Sequence, residues 1–257
     1  PYGLNQKVEF KKNFGPILGQ ININEISKIS ETDFVEKIFP VYKALDKVSN
    51  NQITSNKNTI GFVGAPWTLL VYMINQQSPK KDLKHDFFED KNLIKKILSI
   101  LEKFLMIHIK NQIKNGANVI QIFDSWAGLL QGKDLENYIY FPTLNLVNYV
   151  KSLNVPVICF PREIKNYKKF CEVVKPDAVS IDYNVDPKQI LKDIQIPIQG
   201  GLDPKALLSD KENLKKETIK YLDIFKDHPY IFNLGHGVLP ETDPNMMDHL
   251  VKIVKDY

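Results

Sequence analysis

Short Val/Ile-rich runs alternate with long amphipathic stretches along most of this chain, and that alternation restricts the fold more than any other feature. The runs cover 60–63, 119–123, 155–160, 178–181, 196–199 and 230–233. Most are apolar at successive positions and read as strands buried on both faces. Between the first two, the spacing predicts a helix over 92–115, with Ile94, Ile97, Leu98, Leu101, Phe104 and Leu105 on one stripe and Gly116 as its stop. Shorter helices are predicted over 144–153, 164–174, 187–193 and 214–225. A last one over 244–255 has Asp243 as its cap and Pro244 at its first position. Strands separated by helices of this length run parallel with right-handed crossovers, so the class is α/β.

Six βα units are two short of an eight-stranded barrel, and nothing before Asn50 reads as two more such strands. The expectation is a (β/α)8 TIM-type barrel whose first two strands lie upstream of Pro1. An open doubly wound sheet of six strands is the alternative, and it lacks the GxGxxG that usually follows its first strand. With 257 residues and 43% hydrophobic content the chain has core enough for one domain over 1–257. Net charge is +4, with lysines scattered along the helical stretches, which reads as solvated helix faces and not as a nucleic-acid surface. The uncharged stretch 59–79 has the length of a membrane span but contains Pro66, Asn75, Gln76, Gln77 and Ser78, so strand, turn and helix is the better reading. Cys159 and Cys171 form neither a metal spacing nor a CxxC pair, which suits a reducing, cytoplasmic setting.

Chemistry-bearing residues cluster where a barrel would place its site, at the C-terminal ends of strands. Tyr72 follows the first run by one helical turn, and Phe123, Asp124 and Ser125 end the second. Arg162, the only arginine, follows the third. Asp182 and Tyr183 end the fourth, Gly200 and Gly201 the fifth, and His236, between glycines, the sixth. A loop histidine with small neighbours has no apolar face to fill, so His236 reads as a site residue. For others both readings stay open. Tyr72 is a ligand contact or a ring buried under the helix start. Ser125 is a contact or a cap, Asp124 a contact or a turn former. Arg162 is a contact or half of a surface ion pair, and Gly200-Gly201 a phosphate turn or a sharp strand exit. His108, on the apolar stripe, reads as a satisfied core residue. His85, His228 and His249 read as surface positions, and Trp67 and Trp126 as cleft walls.

The motifs GFVGAPWT (61–68, leading to Tyr72), IFDSWAG (122–128), QGGLDP (199–204) and NLGHGVLPETDP (233–244) together resemble the uroporphyrinogen decarboxylase family over nearly the whole chain. The resemblance implies a (β/α)8 barrel, a homodimer, and an enzyme of haem and porphyrin biosynthesis that needs no cofactor and no metal. Its substrate would be uroporphyrinogen III, whose four acetate groups become methyls in coproporphyrinogen III. Tyr72, Ser125 and His236 match the family's substrate-contacting residues, and Phe123 matches a residue lining the cleft. The family's RQAGRY motif and its pyrrole-binding aspartate have no counterpart here and are expected upstream of Pro1, which leaves the catalytic groups unassigned. A chain of Pro1 to Tyr257 alone is accordingly expected to be poorly soluble or inactive.

Three other functions fit parts of the pattern. A cobamide- or thiol-dependent methyltransferase on the same barrel would activate a thiol through zinc and needs a His-x-Cys arrangement with a further cysteine, yet Val157 stands two before Cys159 and Cys171 falls within a predicted helix. A barrel acting on a phosphorylated substrate would use Gly200-Gly201. A porphyrin-binding protein without activity would keep the cleft and lack the upstream residues.

Overall fold

The computed structural model describes residues 1–11, 15–54, 56–78 and 88–257. His85, expected at the surface, lies outside them. The chain divides into two compact units, Pro1–Val157 and Ile158–Tyr257.

The first unit opens with an antiparallel pair, β1 (Val8–Lys11) and β2 (Gly15–Leu18), in register from Val8 opposite Leu18. A helix, Glu31–Ser49, follows; the Ser30 hydroxyl caps it by accepting from Asp33 N, and Phe34 and Tyr42 are its buried residues. Then come β3 (Ile60–Gly64), the helix Pro66–Asn75, the helix Lys91–Lys114 and β4 (Val119–Asp124). β3 and β4 pair in parallel, from Ile60 opposite Val119 to Gly64 opposite Phe123. The helix Lys91–Lys114 is capped by Asp90, whose carboxylate accepts from Asn92 N and Leu93 N, and it ends before Gly116, which takes φ +104. Its predicted stripe is buried throughout, with Ile109 added. Each such Leu or Ile contributes about 1.5–3 kcal/mol of transfer free energy.

In the second unit β5 (Val157–Pro161, paired from Ile158 on), β6 (Ala178–Ile181), β7 (Ile198–Gly200) and β8 (Tyr230–Ile231) pair in parallel in chain order. The helices Tyr167–Val174, Pro187–Asp193, Lys211–Phe225 and Pro244–Asp256 alternate with them. Asp243 caps the last by accepting from Asn245 N, with Pro244 at its first position. All six predicted runs are therefore strands, and both units have the α/β character that the alternation requires.

Two expectations are corrected. Full burial holds for β5, β6 and β7 but not for β3, where Ile60 and Phe62 are exposed while Gly61 and Val63 are buried, nor for β8. One face of β3 meets the helix Lys91–Lys114 through Gly61 and Gln112, so burial alternates with the strand period. The helix predicted over 164–174 starts only at Tyr167, because Asn166 caps it by accepting from Lys169 N. Among the described residues no helix is long and apolar enough to cross a membrane.

Candidate active site

In the first unit the motif at 61–68 is a strand, a turn and a helix start held by specific packing. A Cβ on Gly61 would lie 2.8 Å from Gln112 Oε1 and 2.9 Å from Ala117 Cβ. That space is needed because the buried Gln112 amide serves both backbone groups of Phe62, accepting from its N–H at 2.9 Å and donating to its carbonyl at 3.0 Å. Ala65 N then donates to Phe123 O at 2.8 Å, and Pro66 opens the helix at a position whose N–H would have no helical partner. Trp67 is not a cleft wall: it is 1% exposed, stacks on Tyr138 at 6.0 Å and donates through Nε1 to Trp126 O at 3.1 Å.

Thr68 carries the junction. Its hydroxyl donates to Asp124 Oδ1 at 2.6 Å and accepts from Trp126 N at 3.2 Å, so the start of the helix Pro66–Asn75 is clasped to the end of β4. Tyr72 lies one turn further along that helix, half-buried, its ring meeting Trp126 edge-on at 6.1 Å. Ser125, half-buried, sits between the two clasped residues, and Phe123 packs edge-on against Phe62 at 6.0 Å. Tyr72, Phe123 and Ser125 thus gather around one clasp.

Asp124 is 3% exposed, and its Oδ2 has no partner among the described residues; the buried Trp126 Nε1 has none either. Burial pushes the Asp124 carboxyl up to about 7, against the opposing pull of the Thr68 hydrogen bond. A carboxyl in this condition exchanges a proton near neutral pH, which sequence reasoning left open by reading it also as a turn former. Thr68 was not singled out at all. Its partner is 56 residues away, and no local rule connects them.

The second unit is organised around Asp182, 1% exposed. Its Oδ2 accepts from Glu163 N at 2.9 Å and from Tyr167 OH at 3.1 Å, and its Oδ1 accepts from Asn184 N at 2.9 Å. Burial, and then the Asp182 charge, holds the Tyr167 phenol well above its ordinary range. Glu163, pinned by that bond, takes the left-handed φ of +62. Arg162, next to it, is no surface side chain: it is 16% exposed, its Nη2 pairs with the Glu163 carboxylate, and its buried Nε has no partner among the described residues.

Gly200 and Gly201 take φ +89 and +104 and form the sharp strand exit. Tyr230 OH donates to Gly200 O at 2.8 Å, and Tyr221 OH to Gly201 O at 2.7 Å. Gly235 N donates to Leu202 O at 2.7 Å, and a Cβ on Gly235 would lie 2.4 Å from Tyr183 N. The loop at 233–237 therefore rests on the Asp182–Tyr183 peptide only because that residue is glycine. His236, the next residue, is exposed. His108 is the core residue expected, its Nδ1 3.1 Å from Tyr42 OH and its pKa lowered to about 4 by burial. His228 and His249 are half-buried, not surface positions; His228 Nε2 lies 3.0 Å from Ile196 O, which ties it to the turn before β7. Among the described residues no group of three or more His, Cys, Asp or Glu side chains could hold a metal ion.

Comparison with solved structures bears on the fold. A methyltransferase from Methanosarcina mazei has a TM-score of 0.79 at 14% identity, covering 99% of this chain and 76% of that one. A putative vitamin-B12-independent methionine synthase from Listeria monocytogenes has a TM-score of 0.54 at 15% identity, covering 84% and 68%. At such identities the likeness extends to architecture alone. Sequence relatives carry more. A uroporphyrinogen decarboxylase of Rickettsia bellii (strain RML369-C) is 36% identical over 100% of this chain and 77% of its own length. That of Rickettsia felis (strain ATCC VR-1525 / URRWXCal2) is 35% identical over 100% and 76%. The model of the family Uroporphyrinogen decarboxylase (URO-D) matches residues 1–257. With the four motifs folded into strand exits as described, and the match unbroken from end to end, the chain belongs to the uroporphyrinogen decarboxylase family.

Proposed function

We propose that this protein is a carboxy-lyase that converts the four acetate groups of uroporphyrinogen III to methyls, giving coproporphyrinogen III in haem and porphyrin biosynthesis, without a cofactor. The observation that carries the reading is the family match across residues 1–257 with its motifs in place. The chemistry follows from the substrate. Protonation of an electron-rich pyrrole at carbon makes the ring an electron sink; the acetate C–CO2 bond then breaks, its electron pair neutralises the ring, and CO2 leaves. Protonation of the resulting methylene completes the methyl group, and loss of the proton first added at the ring carbon restores the neutral pyrrole. Tyr72, Ser125 and His236 hydrogen-bond substrate carboxylates in this reading, and Phe123 lines the cleft. The clasp of Thr68 and Asp124 supports it by fixing the helix that bears Tyr72 to the strand exit that bears Ser125. The protein works as a cytoplasmic homodimer, with no nucleic acid or membrane as partner. A zinc-thiol methyltransferase is disfavoured because Cys159 is buried and Val157 stands where a histidine ligand would be needed.

The test is incubation of the purified natural, full-length protein with uroporphyrinogen III and chromatography of the products after oxidation. Appearance of seven-, six-, five- and four-carboxylate porphyrins, undiminished by a chelator, is the expected result. Unchanged substrate would overturn the reading, and loss of activity on chelation would overturn its cofactor-free part.

A further inference from the structure

Arg162 holds a charge that its surroundings do not fully meet. The guanidinium is 16% exposed, so much of its hydration is lost, and its one ion pair uses Nη2 alone. Nε on the same edge is buried and has no partner among the described residues. The partner of Nη2 is the adjacent Glu163, whose side chain is 46% exposed, and such a pair contributes little. Asp182 cannot supply the missing anion contact by default, since its oxygens already accept from Glu163 N, Asn184 N and Tyr167 OH. What Asp182 does is hold Glu163 at φ +62, a conformation few non-glycine residues adopt, and thereby set where the Arg162–Glu163 peptide points. All of this sits directly after Pro161, at the C-terminal end of β5, where barrels bind their ligands.

A carboxylate that approaches a guanidinium side-on takes Nε and one Nη together, two parallel hydrogen bonds in place of one. We propose that Arg162 receives a carboxylate of the substrate in such a fork, with the Glu163 carboxylate as the placeholder that the substrate displaces. This rests on the decarboxylase reading, which supplies a ligand bearing eight carboxylates.

The experiment has two readouts, steady-state decarboxylation of uroporphyrinogen and fluorescence titration with uroporphyrin, whose oxidised macrocycle keeps the carboxylates but lacks the electron-rich pyrroles that the reaction protonates. Arg162→Gln is expected to raise both KM and the uroporphyrin Kd about tenfold or more. Arg162→Lys, which keeps the charge but not the fork, should recover part of that. Glu163→Gln removes the competitor and should lower both constants two- to fivefold, and its exposed position keeps it informative if Arg162→Gln fails to fold. Unchanged KM and Kd in Arg162→Gln, or weaker binding in Glu163→Gln, would make the pair purely structural and sink the proposal. A wild-type protein that neither binds uroporphyrin nor decarboxylates uroporphyrinogen would remove the functional reading, and this inference with it.

Discussion

Glycine at position 61 is demanded by a buried amide and not by its own backbone. Adding a methyl there would force apart Gln112 and Ala117, so Gly61→Ala is expected to cost about 1–3 kcal/mol, read as a shift in denaturant midpoint. An unshifted midpoint would show that Gln112 can withdraw without loss. Asp124 offers a pH signature. Below about pH 4 the carboxyl is protonated in both folded and unfolded chains and contributes nothing. From there to about 7 the unfolded chain releases its proton while the fold retains it, so stability falls as pH rises, by up to about 4 kcal/mol. Asp124→Asn does not titrate and can still accept from Thr68. Its melting temperature relative to wild type should climb between pH 4 and 7 and level off above; a constant difference would mean an ordinary surface-like carboxylate. Comparing the two proteins cancels His108, which titrates over an overlapping range with the opposite sign. For turnover in the proposed reaction, Tyr72→Phe and His236→Asn would each remove one hydrogen bond among several to a polyanionic substrate. Each should slow the reaction by about one to two orders of magnitude without abolishing it. Complete inactivation with an intact fold would identify a proton donor.

Strand exits are the elements that carry the proposed site, and each one described is shaped by a contact from another segment. The exit of β5 depends on Asp182 at the exit of β6, and the loop after β8 depends on the same peptide through Gly235. Asp182→Ala leaves two backbone amides and the Tyr167 hydroxyl without acceptors in a buried place, a loss of about 3–5 kcal/mol. Hydrogen exchange at the Glu163 and Asn184 amides should accelerate far more than at β6 itself. Equal acceleration everywhere would mean that Asp182 serves the whole fold and not these turns. The same view explains a helix that patterning did not reveal. Glu31–Ser49 contains Pro40 in its interior, which interrupts the periodic signal, and only Phe34 and Tyr42 are buried along its length.

At the scale of the molecule, the proposed homodimer is the outstanding claim. Light scattering at micromolar concentration should give twice the chain mass, and a monomer that decarboxylates at full rate would refute it. Arg162 is the only arginine among these 257 residues, whereas lysines are abundant. Lysines act as point charges and lack the planar fork. That contrast is why this half-buried arginine has value beyond its formal charge.

Hydrophobic period and turn chemistry are local properties, and they were enough to locate the six parallel strands β3 to β8, the stripe of Lys91–Lys114 and the capped helix Pro244–Asp256, though not the antiparallel pair β1 and β2. Motif identity likewise sufficed for the family. Burial was decided elsewhere: the runs at β3 and β5 look alike in sequence, yet β3 is covered on one face and β5 on both. The partners of Thr68, Gln112 and Asp182 were also out of reach of sequence. A side-chain hydrogen bond forms where two segments distant along the chain are brought within about 3 Å, and no spacing rule encodes which hydroxyl, amide or carboxylate will meet. The alternation of apolar residues dictates which elements form, but only their packing turns Asp124 into a buried acid and Arg162 into a guanidinium with an unused edge.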